Sequence, residues 1–243
     1  MLGVPAKIAG CREIILCVPP GKDGKVPSAV LVAADICGIS QIFKVGCAQA
    51  IAAMAYGTES IPKVSKIFGP GNQYVTTAKM LVYGEVDIDM PAGPSEVLVF
   101  AEKDVNPAWI AADLLSQLEH GEDSQAILVT TSKLVAKQVL IEVKKQIESL
   151  ERKKIVKKSL KKSFTVIVET ENQACEIINE YAPEHLEIIS KNENKILEKI
   201  NNAGSVFLGK YSSEPLGDYA TGSNHTLPTS GYAKMFSALY VES

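Results

Sequence analysis

What the sequence has little of bounds it first. Its 243 residues include three histidines and one tryptophan. Charge of one sign is also missing: Lys and Arg number 25 against 28 Asp and Glu, a formal net charge of −3. No global field therefore draws the chain to nucleic acid or to an anionic membrane surface. Long apolar runs are absent, and the most hydrophobic stretches, "AVLVAAD" and "AILVTT", fall far short of the ~20 residues a spanning helix needs. The opening "MLGVPAKIAG" lacks the apolar core of a secretory signal. Cysteine is sparse and unpaired in pattern: Cys11, Cys17, Cys37, Cys47 and Cys175 make an odd number with no C-x-x-C. That excludes a zinc ribbon and predicts reduced, mostly buried thiols in the cytoplasm. No repeat stands out beyond a βα unit.

What is present is ordinary for a globular chain, 46% hydrophobic and 22% charged residues. Strand-like and helix-like segments alternate throughout. "EIILCV" (13–18), "QIFKV" (41–45), "VSKIFG" (64–69) and "VDIDM" (86–90) read as strands, with helices closed by Gly38, begun at Gly46 and running from about Tyr74 to Val82. A second series follows: "EVLVFA", a helix over 107–119, "AILVTT", a long helix from about Lys133, "FTVIVE", a helix over 171–180, "LEIIS", a helix over 193–202 and "GSVFLG". Such alternation predicts an α/β fold of two Rossmann-like units, with mostly parallel sheets flanked by helices and the second unit incomplete. The Pro- and Gly-rich "MPAGPSE" (90–96) marks the boundary, giving domains 1–92 and 93–243. The lysine-dense 151–162 has no interleaved aromatic residue and reads as a solvated helix end or loop rather than a nucleic-acid contact. The Gly-, Ser- and Thr-rich tail from Lys210 to Gly231 reads as a functional or disordered loop.

Four stretches carry candidate chemistry. In "DLLSQLEHGEDSQ", Gln117 and His120 share a helix face three residues apart and can reach one metal ion. The same pattern also reads as a helix end, with His120 facing the C-terminal dipole and Gly121 as a left-handed cap. In "YAPEHLEI", Pro183 ends a helix and leaves Glu184 and His185 entering a strand, as an acid–base pair or an idle surface pair. In "EPLGDYATGSNHTLPTSGY", Asp218 and His225 lie where loop side chains can converge on a ligand. "FGPGNQYVTTAK" and "KVGCAQAIAAMAYG" each put glycine between strand and helix, a turn that suits phosphate but is not G-x-G-x-x-G.

Taken together, the strings "GCAQAIAAMAYGTESIPKVSKIFGPGN", "IDMPAGPSEVLV", "DLLSQLEHGEDSQ", "YAPEHL" and "AGSVFLG…GDYATGSNHTLPT" closely resemble the histidinol dehydrogenase family. The resemblance implies oxidation of L-histidinol through the aldehyde to L-histidine, with two NAD+ and a zinc ion, in a cytoplasmic homodimer of histidine biosynthesis. It implies Glu184 and His185 as the catalytic pair, with His185 as general base and Glu184 activating water. Gln117, His120 and Asp218 would be metal ligands and would also contact substrate, with Ser95, His185 and His225. Gln49 and Asn72 would contact NAD. The matched strings cover the middle of the family pattern, so a further histidine ligand and a glutamate substrate contact from the family's carboxy-terminal segment are expected to be missing. Weak zinc binding and slow turnover are expected to follow. Two other readings stay open: a related zinc and NAD dehydrogenase of another polar alcohol, such as a sulfonated diol, and a catalytically silent fragment that binds a nucleotide or a partner chain.

Overall fold

A computed structural model describes residues 1–219 and 221–243; Ala220, inside the glycine-rich tail, lies outside the described residues. The chain forms two compact units, Met1–Gly93 with Leu239–Ser243, and Pro94–Ala238. No helix among the described residues is long and apolar enough to cross a membrane.

The first unit runs α1 (Gly3–Ile8), β1 (Ile15–Cys17), α2 (Ser28–Ile36), β2 (Gln41–Phe43), α3 (Cys47–Tyr56), β3 (Lys66–Ile67), α4 (Gln73–Val82) and β4 (Asp87–Ile88). Its strands pair in parallel as β1–β2 and β3–β4. Ile51, Ala55, Ile67, Val82 and Val86 form its small core. Inside it the Lys79 ammonium, only 1% exposed, pairs with Asp89 and donates to the carbonyls of Gly69 at 2.9 Å and Met90 at 2.8 Å. Asp89 in turn accepts the Gly69 N–H at 2.7 Å. A buried charge is tolerable only when paired and fully hydrogen-bonded, and this network fixes the backbone of the turn that leads into α4.

The second unit runs β5 (Glu96–Ala101), α5 (Pro107–Leu118), β6 (Gln125–Thr130), α6 (Lys133–Ile147), α7 (Lys153–Ser159), β7 (Phe164–Ile167), α8 (Glu171–Tyr181), β8 (His185–Ile189), α9 (Glu193–Leu197), β9 (Ser205–Leu208) and α10 (Leu216–Tyr219). The five strands make one parallel sheet in the order β7-β6-β5-β8-β9. The first strand, β5, lies at its centre and is buried along its whole length, which is why "EVLVFA" is apolar without alternation. Val97, Val99, Leu115 and Leu118 pack on one face of the sheet with the buried stripe of α6, Val135, Val139, Val143 and Ile147. Leu98, Phe100, Ile178, Leu186 and Ile196 pack on the other.

Three expectations change. Residues 151–162 keep their lysines in solvent but form α7 and a 3-10 turn of their own, because Val156, at 0% exposure, and Leu160 pack into the core cluster that α5 and α6 also line. The cysteines are not mostly buried: only Cys175 is, while Cys11 and Cys47 are exposed and Cys17 and Cys37 half-buried, all five as free thiols. The four of the first unit fall at strand, turn and helix-end positions that its small core does not cover. The helix expected over 193–202 stops at Leu197.

Candidate active site

Parallel strands joined by antiparallel helices bring strand beginnings and helix ends to the same edge of a sheet. In the second unit, Glu96 opens β5 and His185 opens β8, while Gln117 and His120 lie at the carboxy-terminal end of α5 and Glu184 follows the end of α8. Open parallel sheets usually bind ligands at the opposite edge, beyond the carboxyl ends of the strands. Here the site edge carries the negative ends of helix dipoles, which favours cations over phosphate.

His185 is 2% exposed. Its Nδ1 lies 2.8 Å from the Glu96 carbonyl, which can only accept, so Nδ1 carries the proton and Nε2 presents a lone pair. Burial pulls its pKa down to about 4 against the raising effect of Glu214, so the ring is neutral at neutral pH. The Glu96 N–H donates to Glu184 Oε2 at 2.8 Å. One residue of β5 thus orients both members of the pair through its backbone. Burial, then the neighbouring carboxylates of Glu96, Glu214 and Asp218, push the Glu184 carboxyl well above the usual range. Ala182, in the left-handed conformation at φ 53°, turns the chain out of α8. Gly204 lets β9 approach: a Cβ there would stand 2.6 Å from the Glu184 carbonyl oxygen.

His225 comes from the tail. Its Nε2 lies 2.8 Å from His185 Nε2, and the rings stack at 4.6 Å. Gly217 makes room, since a Cβ there would meet the His225 ring at 2.5 Å. Asp218 Oδ1 is 3.8 Å from His225 Nε2. The structure therefore gathers Glu184, His185, Asp218 and His225, and adds a residue that sequence reasoning missed. Glu214, 1% exposed, sets Oε1 3.4 Å from His225 Nε2 and 3.7 Å from His185 Nε2. Burial pushes its carboxyl up, but the His225 hydrogen bond, with the lowering influence of the nearby His185, His225 and His120 rings, outweighs that and holds it low. Glu214 therefore faces all three histidines of the chain. Its hydrogen bond raises His225 in return. The one hint in the sequence is spacing: Glu214 stands four residues before Asp218, which matters only once the segment is seen to turn helically.

Gln117 is wholly buried, yet among the described residues neither its amide oxygen nor its amide nitrogen has a hydrogen-bond partner. Such groups are rare and call for an explanation; a metal ion at the amide oxygen would supply one. His120 is exposed, and its Nδ1–H donates to the Ser116 carbonyl at 3.1 Å, which leaves Nε2 as the ring atom that could face a metal. Gly121 is not at positive φ, and α5 ends on a right-handed Glu119 whose N–H returns to the Leu115 carbonyl, while the His120 N–H returns to that of Gln117; a left-handed glycine cap does not account for this stretch. Amide oxygen, imidazole nitrogen and carboxylate oxygen form a donor set that suits a borderline divalent ion. The ligand atoms of His185, Glu214 and His225 also lie close enough to hold an ion among themselves.

Ser95 is half-buried just ahead of β5, and its carbonyl accepts the Gln125 N–H at 3.1 Å. The two dinucleotide candidates belong to the first unit. Gln49 is exposed in the first turn of α3. Asn72 caps α4, its Oδ1 accepting the N–H groups of Tyr74 at 3.0 Å and Val75 at 3.1 Å. Both are at helix N-termini that follow strands, where backbone N–H groups and the dipole favour phosphate.

The model of the histidinol dehydrogenase family matches residues 1–243. The chain is 60% identical to a histidinol dehydrogenase of Bacteroides fragilis over 244 residues, 100% of this chain and 57% of that protein. Against a histidinol dehydrogenase of Bacteroides thetaiotaomicron it is 58% identical with the same coverage. The crystal structure of histidinol dehydrogenase from Elizabethkingia anophelis superimposes with a TM-score of 0.94 at 50% identity, covering 100% of this chain and 56% of that one. The chain thus spans a little over half the length of these relatives.

Proposed function

Because the chain belongs to the histidinol dehydrogenase family, we propose that it serves the NAD+-dependent oxidation of L-histidinol through L-histidinal to L-histidine in histidine biosynthesis. The observation that carries this reading is the meeting of Glu184, His185, Asp218 and His225 at one buried edge, with the His185 ring neutral and its Nε2 free of a proton. His185 takes the carbinol proton at Nε2 while its Nδ1–H stays on the Glu96 carbonyl, so the ring keeps one orientation throughout. Glu184 takes a proton from water in the aldehyde step, and its raised pKa makes it a stronger base than a solvated carboxylate. His225, Asp218 and Ser95 line the substrate, and the acidic edge suits its amino and imidazole groups.

Gln117, His120 and Asp218 would hold a divalent metal, zinc in our reading, which when bound orients the substrate's nitrogen atoms. Gln49 and Asn72 would hold NAD+, the hydride acceptor, at the starts of α3 and α4. We place the enzyme in the cytoplasm and as a homodimer on family grounds; five free thiols support the former. A second metal reading, with the ion on His185, Glu214 and His225, would remove His185 from proton transfer. His185→Asn separates the two. As general base, His185 is worth about 10²–10⁴ in turnover, so H185N is expected to lose NADH formation by that factor while zinc binding persists. Zinc lost together with activity would favour the second reading, and unchanged turnover would refute both.

A further inference from the structure

Three elements of the second unit carry much of the site: α5 ends beside Gln117 and leads to His120, β8 opens with His185, and the segment 213–218 holds Glu214 and Asp218. One buried group touches all three. Glu187, 1% exposed, lies two residues along β8 from His185 and so on the same face of the strand. Its Oε1 accepts the backbone N–H of Glu214 at 2.7 Å. Its carboxyl also meets that of Asp113 on α5, which reaches the Ser213 side chain as well. Asp113 is one helical turn before Gln117. From Glu214 the chain turns helically, Gly217 N–H to Glu214 O at 2.9 Å and Asp218 N–H to Pro215 O at 3.2 Å. The backbone position of Glu214 therefore sets that of Asp218.

A carboxylate inside a packed sheet face is costly unless it makes hydrogen bonds, and nothing in the proton transfers above uses this one. We infer that Glu187, with Asp113, is a positioning residue that clasps the metal-donor end of α5, the catalytic strand β8 and the Glu214–Asp218 segment into one geometry. This inference rests on the function proposed above. It assigns no contact with substrate to either residue: both act through Glu214 and Asp218.

The test compares Glu187→Gln and Glu187→Leu in the protein, with folding checked by circular dichroism. Gln keeps an acceptor for the Glu214 N–H and offers Asp113 a donor; Leu keeps the volume and removes both. Outer-shell partners of metal ligands are worth about 10–100-fold in affinity, so E187L is expected to weaken Zn2+ binding by that factor and raise the KM for L-histidinol. The KM for NAD+ should stay at the parent value, and amide exchange of the 213–218 segment should speed up. E187Q should stay within about threefold of the parent in all four. If E187L does not fold, Asp113→Leu is read in the same way. Parent-like zinc affinity and exchange in the leucine variant would overturn the clasp, as would equal loss in E187Q and E187L. A parent that binds no zinc and forms no NADH would refute the proposed function instead, and the exchange rates alone would then decide whether the clasp holds the segment.

Discussion

At the scale of single residues, the site is built from side chains whose protonation is set by burial. Glu96 shows it most simply. Burial pushes its carboxyl up to about 7, against the lowering effect of the Ser230 N–H, which lies 3.1 Å away. Between the ordinary carboxylate pKa and that value, the folded chain holds a proton that the unfolded chain has released. Stability therefore falls as pH rises through this window. Glu96→Gln keeps the Ser230 hydrogen bond and removes the titration. Relative to the parent it should gain about 1–3 kcal/mol on going from pH 4.5 to pH 7.5, measured by denaturant unfolding at both pH values. His185 contributes the opposite slope. Its folded pKa is depressed to about 4, so the unfolded chain binds its proton first and stability is lost as pH falls from about 6.5 towards 4. At this scale local spacing raised Gln117, His120, Glu184, His185, Asp218 and His225 as candidates beside blander readings, and the motif strings gave them roles. Glu214 and Glu187 went unread because an acid in a loop, or inside "HLEIIS", looks like solvent exposure until the partner elements are in place.

At the scale of elements, legibility followed periodicity and punctuation. The strand "EVLVFA" and the helix starting at Pro107, with its Asn106 cap bonding the Ala108 N–H at 3.0 Å, are locally specified. Helix α7 is not: its lysines suggest solvent, and only the core cluster shared with α5 and α6 explains why Val156 is wholly buried. The convergence of strand starts with helix ends is likewise a property of parallel topology that no single segment displays. Asn72 links an element to function. Its carboxamide caps α4 through two N–H groups, and losing such a cap costs about 1 kcal/mol. Asn72→Ala should therefore destabilise the protein by about that amount and raise the KM for NAD+, with the KM for L-histidinol unchanged. A KM shift for histidinol instead would contradict the division of labour between the first and second units.

At the scale of the whole molecule, two α/β units divide the candidate chemistry. The first offers helix N-termini, suited to phosphate; the second offers helix C-termini, the free Nε2 of His185 and four buried carboxyls at Glu96, Glu184, Glu187 and Glu214, suited to a cationic substrate and a metal. The α/β class and the run of alternating elements were legible from the sequence because hydrophobic runs and glycines repeat at regular spacing. The units divide at Gly93–Pro94, and Leu239–Ser243 joins the first, a return that no composition shift announces. The function proposed for this chain is a four-electron oxidation of histidinol at the His185 edge. Its most direct test is to count NADH formed when zinc-loaded protein, in excess over L-histidinol and with ample NAD+, is left to completion, so that slow turnover does not matter. The account requires two NADH for each histidinol and one L-histidine as product; a single NADH with free aldehyde, or none, would contradict it.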